Sequence, residues 1–287
     1  MNAAFTERLG VCSWSLRPGS PADLCEAVRA CGLARVQLAL DPIRSGQWDE
    51  DATVRALRDA GIIVVSGMIA MHGEDYSTLE SIRRTGGVRQ DALWGDNFRA
   101  TEANAALAQR LGLSLVTFHA GFLPHDLTPE RRTMVDRVRQ LAQLFASRGV
   151  RLALETGQET AETLIDVLQS VNASLPTRWQ VGVNFDPANM ILYGMGDPID
   201  ALRMLRSHAR QVHAKDATVA TTPGEWGTEV PVGAGQVDWR EFAHVLRGFE
   251  GSVIIEREAG ETRVEDVRRA AEVLRQTARA VASEGGS

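Results

Sequence analysis

The sequence is poor in cysteine and has no long apolar run. Its three cysteines are Cys12, Cys25 and Cys31, an odd number without a CxxC pair. This pattern argues against a disulfide framework and predicts free thiols. No window is long and apolar enough to cross a bilayer, and Glu7 and Arg8 stand where a signal peptide would need its apolar stretch. We therefore expect a cytoplasmic protein with no membrane partner.

A concentrated basic surface is also missing. The 287 residues carry 31 Lys and Arg against 37 Asp and Glu, a net charge of -6, with both signs scattered along the chain. A duplex-binding surface would show as a basic block, so we expect no nucleic-acid partner. Gly233 and Gly235 are wrongly placed for a dinucleotide loop, and no Walker motif occurs. We expect a small-molecule partner, and the sequence leaves a homo-oligomer open.

What the sequence does contain is an alternation of apolar segments and amphipathic helical patterns. Eight apolar segments predict strands at 8–14, 35–40, 62–70, 113–119, 150–155, 181–186, 210–215 and 252–258. They are continuous apolar runs, which is typical of parallel strands buried on both faces. Their spacing suits βαβ units, and no change in composition marks a linker. We predict an α/β protein in which residues 1–287 form a single (β/α)8 TIM barrel, with a doubly wound open sheet as the alternative.

Two connections are longer than the others. Residues 71–96 have no clear helical pattern, and a connection of this length in a compact domain is typical of a lid over a functional site. Residues 217–236 are rich in glycine and proline, which predicts a second irregular loop. Both segments follow strands. In a barrel they would lie at the carboxyl ends of the strands, where TIM-barrel active sites are built.

Metal-ligating residue types recur at the ends of the last four predicted strands. These residues are Glu155, Asp186, His213 and Glu256. A single such residue is more often structural, because an acid at a strand end can cap the next helix or pair with an arginine such as Arg257. Four of them at the same height on successive strands are better explained by one divalent metal ion. Three carboxylates and one imidazole suit Mn²⁺, Co²⁺, Mg²⁺ or Zn²⁺.

Several stretches carry a family resemblance: LALETG at 152–157, NFDPANM at 184–190, VHAKDA at 212–217, VGAGQVDW at 232–239 and IIERE at 254–258. Together they resemble the xylose isomerase-like TIM-barrel superfamily of sugar phosphate isomerases and epimerases. That superfamily also includes ketose 3-epimerases, inosose dehydratase and an AP-endonuclease branch. The resemblance implies that the four strand-end residues bind one metal. It also implies that Glu155 and Glu256 move the protons, as in the ketose epimerases.

Two positions depart from the motifs of these relatives. The zinc endonucleases carry a histidine three residues after the aspartate, where this chain has Asn189. They also carry an Asp-x-His pair in the region that here reads Val237, Asp238, Trp239. A trinuclear zinc site is therefore incomplete. The ketose 3-epimerases also tend to have a histidine at the position of Asn189, so their substrate preference does not transfer directly.

Further polar residues are candidates for binding the substrate: His72, His119, Asn189 and Lys215. His72 and His119 follow strands three and four, which would place both on the catalytic rim, either against substrate hydroxyls or with partners inside the protein. Lys215 shares the strand parity of His213 and should point into the barrel mouth, where it would hold a substrate oxygen or pair with a carboxylate. Asn189 would bind the substrate or orient its loop.

These residues indicate a metal-dependent sugar isomerase or epimerase. Glu155 and Glu256 would remove and return the proton next to a carbonyl, through an enediolate. A metal-dependent lyase or dehydratase acting on a keto-sugar or inosose is the alternative, because it shares the first step. An abasic-site endonuclease fits less well, given the acidic charge and the incomplete zinc motifs. A non-catalytic sugar-binding protein is a further alternative.

Overall fold

The strands of the structure follow the predicted alternation. The computed structural model describes residues 5, 7–222 and 224–284. The strands in this range are β1 (Leu9–Cys12), β2 (Arg35–Ala39), β3 (Ile63–Met68), β4 (Leu115–Phe118), β5 (Arg151–Glu155), β6 (Gly182–Phe185), β7 (Ala209–Ala214), β8 (Asp216–Thr218), β9 (Thr228–Val230) and β10 (Ser252–Ile255). The remaining residues of the predicted 1–287 domain, including Pro223 of the predicted 217–236 loop, lie outside the described residues.

Helices follow the barrel strands along the described chain. They are α1 (Pro21–Ala30), α2 (Asp41–Arg44), α3 (Glu50–Asp59), α4 (Leu79–Thr85), α5 (Asp91–Arg110), α6 (Pro129–Ser147), α7 (Ala161–Asn172), α8 (Pro187–Tyr193), α9 (Pro198–Leu205), α10 (Trp239–Val245) and α11 (Arg263–Ser283). Short 3-10 helices span Ser13–Leu16 and Thr177–Trp179. Within the described ranges, none of the helices has the length and apolarity that crossing a membrane requires.

Eight of the strands close into a barrel in the order β1-β10-β7-β6-β5-β4-β3-β2. All neighbouring pairs are parallel, and the seam is formed by β1 and β10, with Leu9 opposite Val253 and Val11 opposite Ile255. The predicted (β/α)8 barrel is confirmed, and the open sheet is wrong. Closure brings the carboxyl ends of all eight strands to one rim, which is where a TIM barrel places its active site.

The prediction of an irregular stretch at 71–96 is wrong in part. Helix α4 forms within it, and α5 begins at Asp91 rather than at residue 97. Thr78 and Ser81 form a reciprocal capping box at the start of α4. The sequence did not reveal this cap because Ser81 stands where the usual pattern has glutamate or glutamine. The segment is therefore an ordered wall element of the barrel rim.

Close backbone contact fixes this wall to the loop after β4. Gly87 has a φ of +63°, and a Cβ there would lie 2.0 Å from the carbonyl carbon of Ala120. The next backbone N–H, that of Val88, donates to the carbonyl of Ala120 at 3.0 Å. Only glycine combines this backbone conformation with so close an approach. The contact sets the height of residues 71–88 beside the strand ends.

The predicted irregular loop at 217–236 also contains regular structure. Strands β8 and β9 pair antiparallel, with Asp216 opposite Val230 and Thr218 opposite Thr228. The Asp216 carboxylate accepts hydrogen bonds from the backbone of Gly233, Gly235 and Val237 and from the indole of Trp239. One buried carboxylate thus organises the rest of the loop.

Candidate metal centre

The four strand-end residues come together at the carboxyl-terminal rim of the barrel. Glu155 ends β5, Asp186 follows β6, His213 lies in β7 and Glu256 follows β10. One possible ligand atom from each residue lies within 4.8 Å of those of the others, and none of the residues is more than 4% exposed. His213 Nδ1 is 3.4 Å from a carboxylate oxygen of each of the three acids. This arrangement has the size of a site for one metal ion.

Two buried atoms at the centre of this cluster have no hydrogen-bond partner among the described residues. They are Nδ1 of His213 and Oδ2 of Asp186. The other oxygen of Asp186 accepts from the backbone N–H of Asn189 at 2.9 Å and caps α8, so the capping role uses only one oxygen. Leaving a buried carboxylate oxygen unpaired costs free energy. These residues therefore fit a divalent cation, which would pair with both atoms.

A polar network inside the barrel sets the direction of the imidazole. His213 Nε2 donates to Oε1 of Gln37 at 2.8 Å, which turns Nδ1 towards the acids. The Gln37 amide donates to Thr117 at 2.7 Å and its oxygen accepts from Gln211 at 2.9 Å, while Gln211 accepts from Ser66 at 2.6 Å. A metal-binding histidine usually has such a partner on its second nitrogen. The prediction of the strands as continuous apolar runs gave no sign of this buried polar layer.

Charge pairing keeps the two glutamates ionised. Burial by itself would raise the pKa of Glu256, but Lys215 and His213 hold that pKa well below its ordinary value. Burial acts in the same direction on Glu155, where His119 and His213 outweigh it and lower the pKa. Both side chains are therefore carboxylates at neutral pH, the form that binds a cation or accepts a proton.

The two glutamates have different neighbours. Glu155 accepts hydrogen bonds from the amides of Asn184 and Asn189, each at 3.2 Å. Glu256 accepts from the indole of Trp14 at 2.8 Å and from Lys215 Nζ at 2.9 Å. One glutamate is thus held by neutral donors and the other by a cation, and these donors fix the orientation of both carboxylates.

A cavity of about 470 Å³ opens above the cluster. Its walls are partly aromatic, with Trp14, Tyr193 and Trp226, and Tyr193 packs against Trp226 with ring centroids 5.0 Å apart. Glu256 reaches the cavity together with a second acid, Glu258. The volume is in the range of small-molecule sites, so the cluster lies at the base of a pocket that can hold a ligand.

Known families resemble this chain over most of its length. The family model described as xylose isomerase-like TIM barrel matches residues 25–277. The chain belongs to this family. The comparison with curated proteins finds no significant match to this xylose isomerase-like protein.

Solved structures with the same fold include proteins of several activities. A xylose isomerase domain protein from Planctomyces limnophilus is 29% identical, with 90% of this chain and 93% of that one covered and a TM-score of 0.82. The probable 3-DHS dehydratase AsbF from Bacillus anthracis is 18% identical, with 93% and 98% covered and a TM-score of 0.71. The 3-keto-D-glucoside 4-epimerase YcjR from E. coli is 16% identical, with 94% and 99% covered and a TM-score of 0.70. At 18% and 16% identity, the similarity of this chain to AsbF and YcjR shows only that they share the fold.

Among the predicted substrate-binding residues of this xylose isomerase-like barrel, three line the cavity: His119, Asn189 and Lys215. His119 Nε2 lies 3.4 Å from Glu155, and its buried Nδ1 has no hydrogen-bond partner. Lys215 bridges Glu256 and Glu258, so the pairing alternative for this lysine is realised. All three still face the space where a ligand would lie.

The structure does not bring His72 to the cavity. Its backbone N–H donates to the side chain of Asn97 at 2.7 Å, and the Asn97 amide donates back to its carbonyl at 3.3 Å. These two hydrogen bonds hold the backbone at His72 against α5. The His72 side chain is exposed and is not part of the cavity wall. Glu74, two residues further on, lines the cavity instead. The sequence placed His72 after a strand but could not show which way the chain turns.

Several cavity residues were missed by the sequence analysis. They include Glu74, Tyr193, Trp226, Glu229 and Glu258. Glu258 has the same strand parity as Glu256, a signal that could have found it. Arg257, which the sequence offered as a partner of Glu256, instead pairs with Glu229 at 2.7 Å and Asp266 at 3.0 Å.

The region expected to complete a trinuclear zinc site has other roles in this xylose isomerase-like chain. The Asn189 amide donates to Glu155, and Asp238 caps α10 by accepting from the backbone N–H of Glu241 at 2.9 Å. Among the described residues, the second group with metal-ligand spacing is Cys12, His213 and Glu256, which shares two members with the main cluster. Burial raises the pKa of the Cys12 thiol, so it stays protonated and is a poor ligand.

Proposed function

We propose that this xylose isomerase-like barrel is a divalent-metal-dependent carbohydrate isomerase or epimerase that moves a proton next to a carbonyl. The observation that carries the proposal is the cluster of Glu155, Asp186, His213 and Glu256, with two unpaired atoms at its centre and a cavity above it. In the order of the barrel, β6 and β7 lie between the strands of the two glutamates. Glu155 and Glu256 can therefore approach one substrate carbon from different sides.

In the proposed mechanism the metal supplies Lewis acidity and side chains of the protein transfer the proton. Glu155, Asp186, His213 and Glu256 would hold the cation, which supplies the Lewis acidity that makes a C–H next to a carbonyl acidic. One of the two glutamates removes that proton, and the other returns a proton to the resulting enediolate. Return to the opposite face of the same carbon gives an epimer. Return to the neighbouring carbon converts an aldose and a ketose into each other.

Three cavity residues are proposed to position the substrate. The Lys215 ammonium group, held between Glu256 and Glu258, can donate to a substrate oxygen. His119 has its Nδ1 free for a hydroxyl. The Asn189 amide orients Glu155 and lies at the cavity wall. We also propose that residues 71–96 act as the cover of the site, since Glu74 and Tyr76 line the cavity, and that they limit the entry of water.

The proposed substrate is an unphosphorylated carbohydrate. The described residues that line the cavity include the acids Glu74, Glu229 and Glu258, whereas Lys215 is the one lysine or arginine among them. Lys215 is already paired with two carboxylates. A phosphate group would meet net negative charge without an arginine to bind it.

Solvent-deuterium exchange tests the proposal. The metal-free protein is loaded with Mn²⁺, Co²⁺, Mg²⁺ or Zn²⁺ and incubated in D₂O with ketoses, inososes and keto-glycosides, and the products are followed by NMR. Incorporation of deuterium next to the carbonyl, with the carbon skeleton retained and only in the presence of metal, is the expected result. Loss of water or an alcohol would instead support the lyase alternative. No exchange with any metal, or nicking of an abasic duplex, would refute the isomerase proposal.

A matched pair of variants controls the experiment. Asp186→Asn removes a charge from the metal cluster, and Asp238→Asn makes the same change at a helix cap. Exchange should disappear only in the first variant. Equal activity in both would show that the cluster has no part in the reaction.

A further inference from the structure

A second cavity of about 410 Å³ lies beside the substrate cavity. It is lined by α4, by the loop after β4 and by the segment between β5 and α7. Side chains that line the second cavity contact a side chain that lines the first. The Gln158 amide, in the second cavity, donates to the hydroxyl of Tyr193, in the first, at 3.4 Å. Phe122, also in the second cavity, meets the Tyr193 ring edge-on with centroids 5.4 Å apart.

Unpaired polar atoms cluster in the wall of this second cavity. Gln158 is 3% exposed and Glu159 is 6% exposed, and within the part of the chain that the structure describes Oε1 of each has no hydrogen-bond partner. The buried Nε of Arg89, in the same wall, is also without a partner. Buried acceptors and donors without partners cost free energy and are rare unless a ligand or water completes them. The wall thus offers two acceptors and one donor to a molecule in the cavity.

The polar groups around the cavity suit a hydroxylated ligand. Burial raises the pKa of Glu159 to about 8, so this carboxyl is largely protonated at pH 7 and can both donate and accept. The guanidinium of Arg89 is already paired with Glu130 and with the carbonyl of Phe122. Arg83 also lines the cavity, and its guanidinium lies 5.2 Å from the centroid of the Phe122 ring, where it can donate to a ligand hydroxyl. Hydroxyl groups, which donate and accept, match the unpaired atoms.

Apolar groups complete the match to a sugar ring. Phe122 and Met195 line the same cavity and can pack against the C–H face of a ring. The Tyr193 hydroxyl accepts a hydrogen bond from Gln158, so its O–H can donate a hydrogen bond to another acceptor. Since this hydroxyl lies between the two cavities, a bridging oxygen that joins two rings is a suitable acceptor.

We propose that the second cavity is a subsite for a further hydroxylated ring, bound through Gln158 and Glu159, so that the preferred substrate is a glycoside-sized sugar rather than a free monosaccharide. This inference rests on the proposed function, because it assigns the reacting sugar to the first cavity. It places the reacting ring over the metal cluster and the second ring beyond Tyr193.

Calorimetric binding to the Mg²⁺-loaded protein tests the subsite without relying on turnover. The probes are D-fructose and a set of glucosyl-fructose disaccharides that differ only in linkage. At least one disaccharide should bind tenfold or more tightly than fructose. Glu159→Leu and Gln158→Leu should each remove that advantage and change fructose affinity less than twofold. Glu162→Gln, an exposed change on α7, should leave both affinities unchanged.

The outcomes separate this inference from the proposed function. If a disaccharide binds more tightly than fructose but no sugar exchanges deuterium, the subsite is supported and the isomerase proposal is refuted. If fructose exchanges deuterium but no disaccharide binds more tightly than fructose, the subsite is refuted. Glu159→Gln keeps the size of the side chain and guards against misfolding of the leucine variants. The Glu159→Gln amide can also donate and accept, so this variant should keep the disaccharide advantage. An unchanged advantage in folded Gln158→Leu or Glu159→Leu would overturn the proposal.

Discussion

The substitution Glu159→Gln should stabilise the protein, and the gain should grow with pH. Glu159 is buried with no ion pair or hydrogen bond at Oε1, and burial raises its pKa from 4.5 to about 8. In the unfolded chain the carboxyl loses its proton near its ordinary pKa, whereas in the folded protein it keeps the proton until the pH approaches 8. Between these values ionisation lowers the free energy of the unfolded state only. The free energy of unfolding therefore falls as pH rises.

The magnitude follows from the shift. One pKa unit corresponds to about 1.36 kcal/mol, so the Glu159 carboxyl lowers the free energy of unfolding by under about 1 kcal/mol at pH 5, about 3 kcal/mol at pH 7 and about 4 kcal/mol at pH 8. Glutamine has nearly the same size but does not ionise. The difference in unfolding free energy between the variant and the wild type should therefore rise by about 2–3 kcal/mol from pH 5 to pH 7.

Urea unfolding of both proteins at pH 5, 7 and 8 measures this difference directly. The comparison cancels every other titrating group that the two proteins share. Glu162→Gln, on the exposed side of α7, is the control and should change the free energy of unfolding by less than about 0.5 kcal/mol at each pH. A pH-independent difference for Glu159→Gln, or a destabilisation that grows with pH, would refute the view that Glu159 is a buried, unpaired acid.

The other predictions concern the metal cluster and the wall beside it. Glu155→Gln and Glu256→Gln should each abolish deuterium exchange while far-UV circular dichroism stays unchanged, and full activity in either variant would remove the two-glutamate scheme. Metal at 100 times its Kd should raise the free energy of unfolding of the wild type by about 2.7 kcal/mol, and calorimetric melting should show this gain lost in Asp186→Asn. Gly87→Ala should destabilise the protein by at least about 2 kcal/mol more than Gly112→Ala. Both glycines have a positive φ, but a Cβ would meet neighbouring backbone only at Gly87. Equal melting temperatures of the two variants would contradict the close contact.

The sequence determined the barrel's repeating unit and the positions of its strand-end donors. Continuous apolar runs followed by amphipathic helices identified the βα units because that pattern is local. The placement of Glu155, Asp186, His213 and Glu256 followed from it, since parallel strands in a barrel end at one rim. Four residues far apart in the chain could therefore be predicted to meet before any contact between them was known.

Tertiary structure decided what depends on contacts between distant segments. The pairing of β1 with β10 distinguishes a closed barrel from an open sheet, and no local pattern encodes it. His213 is oriented by the hydrogen bond that it donates to Gln37, 176 positions away. His72 turns outward because α5 holds its backbone. No described side chain or backbone group is placed to bond Oε1 of Glu159, and that placement is a property of packing rather than of residue type.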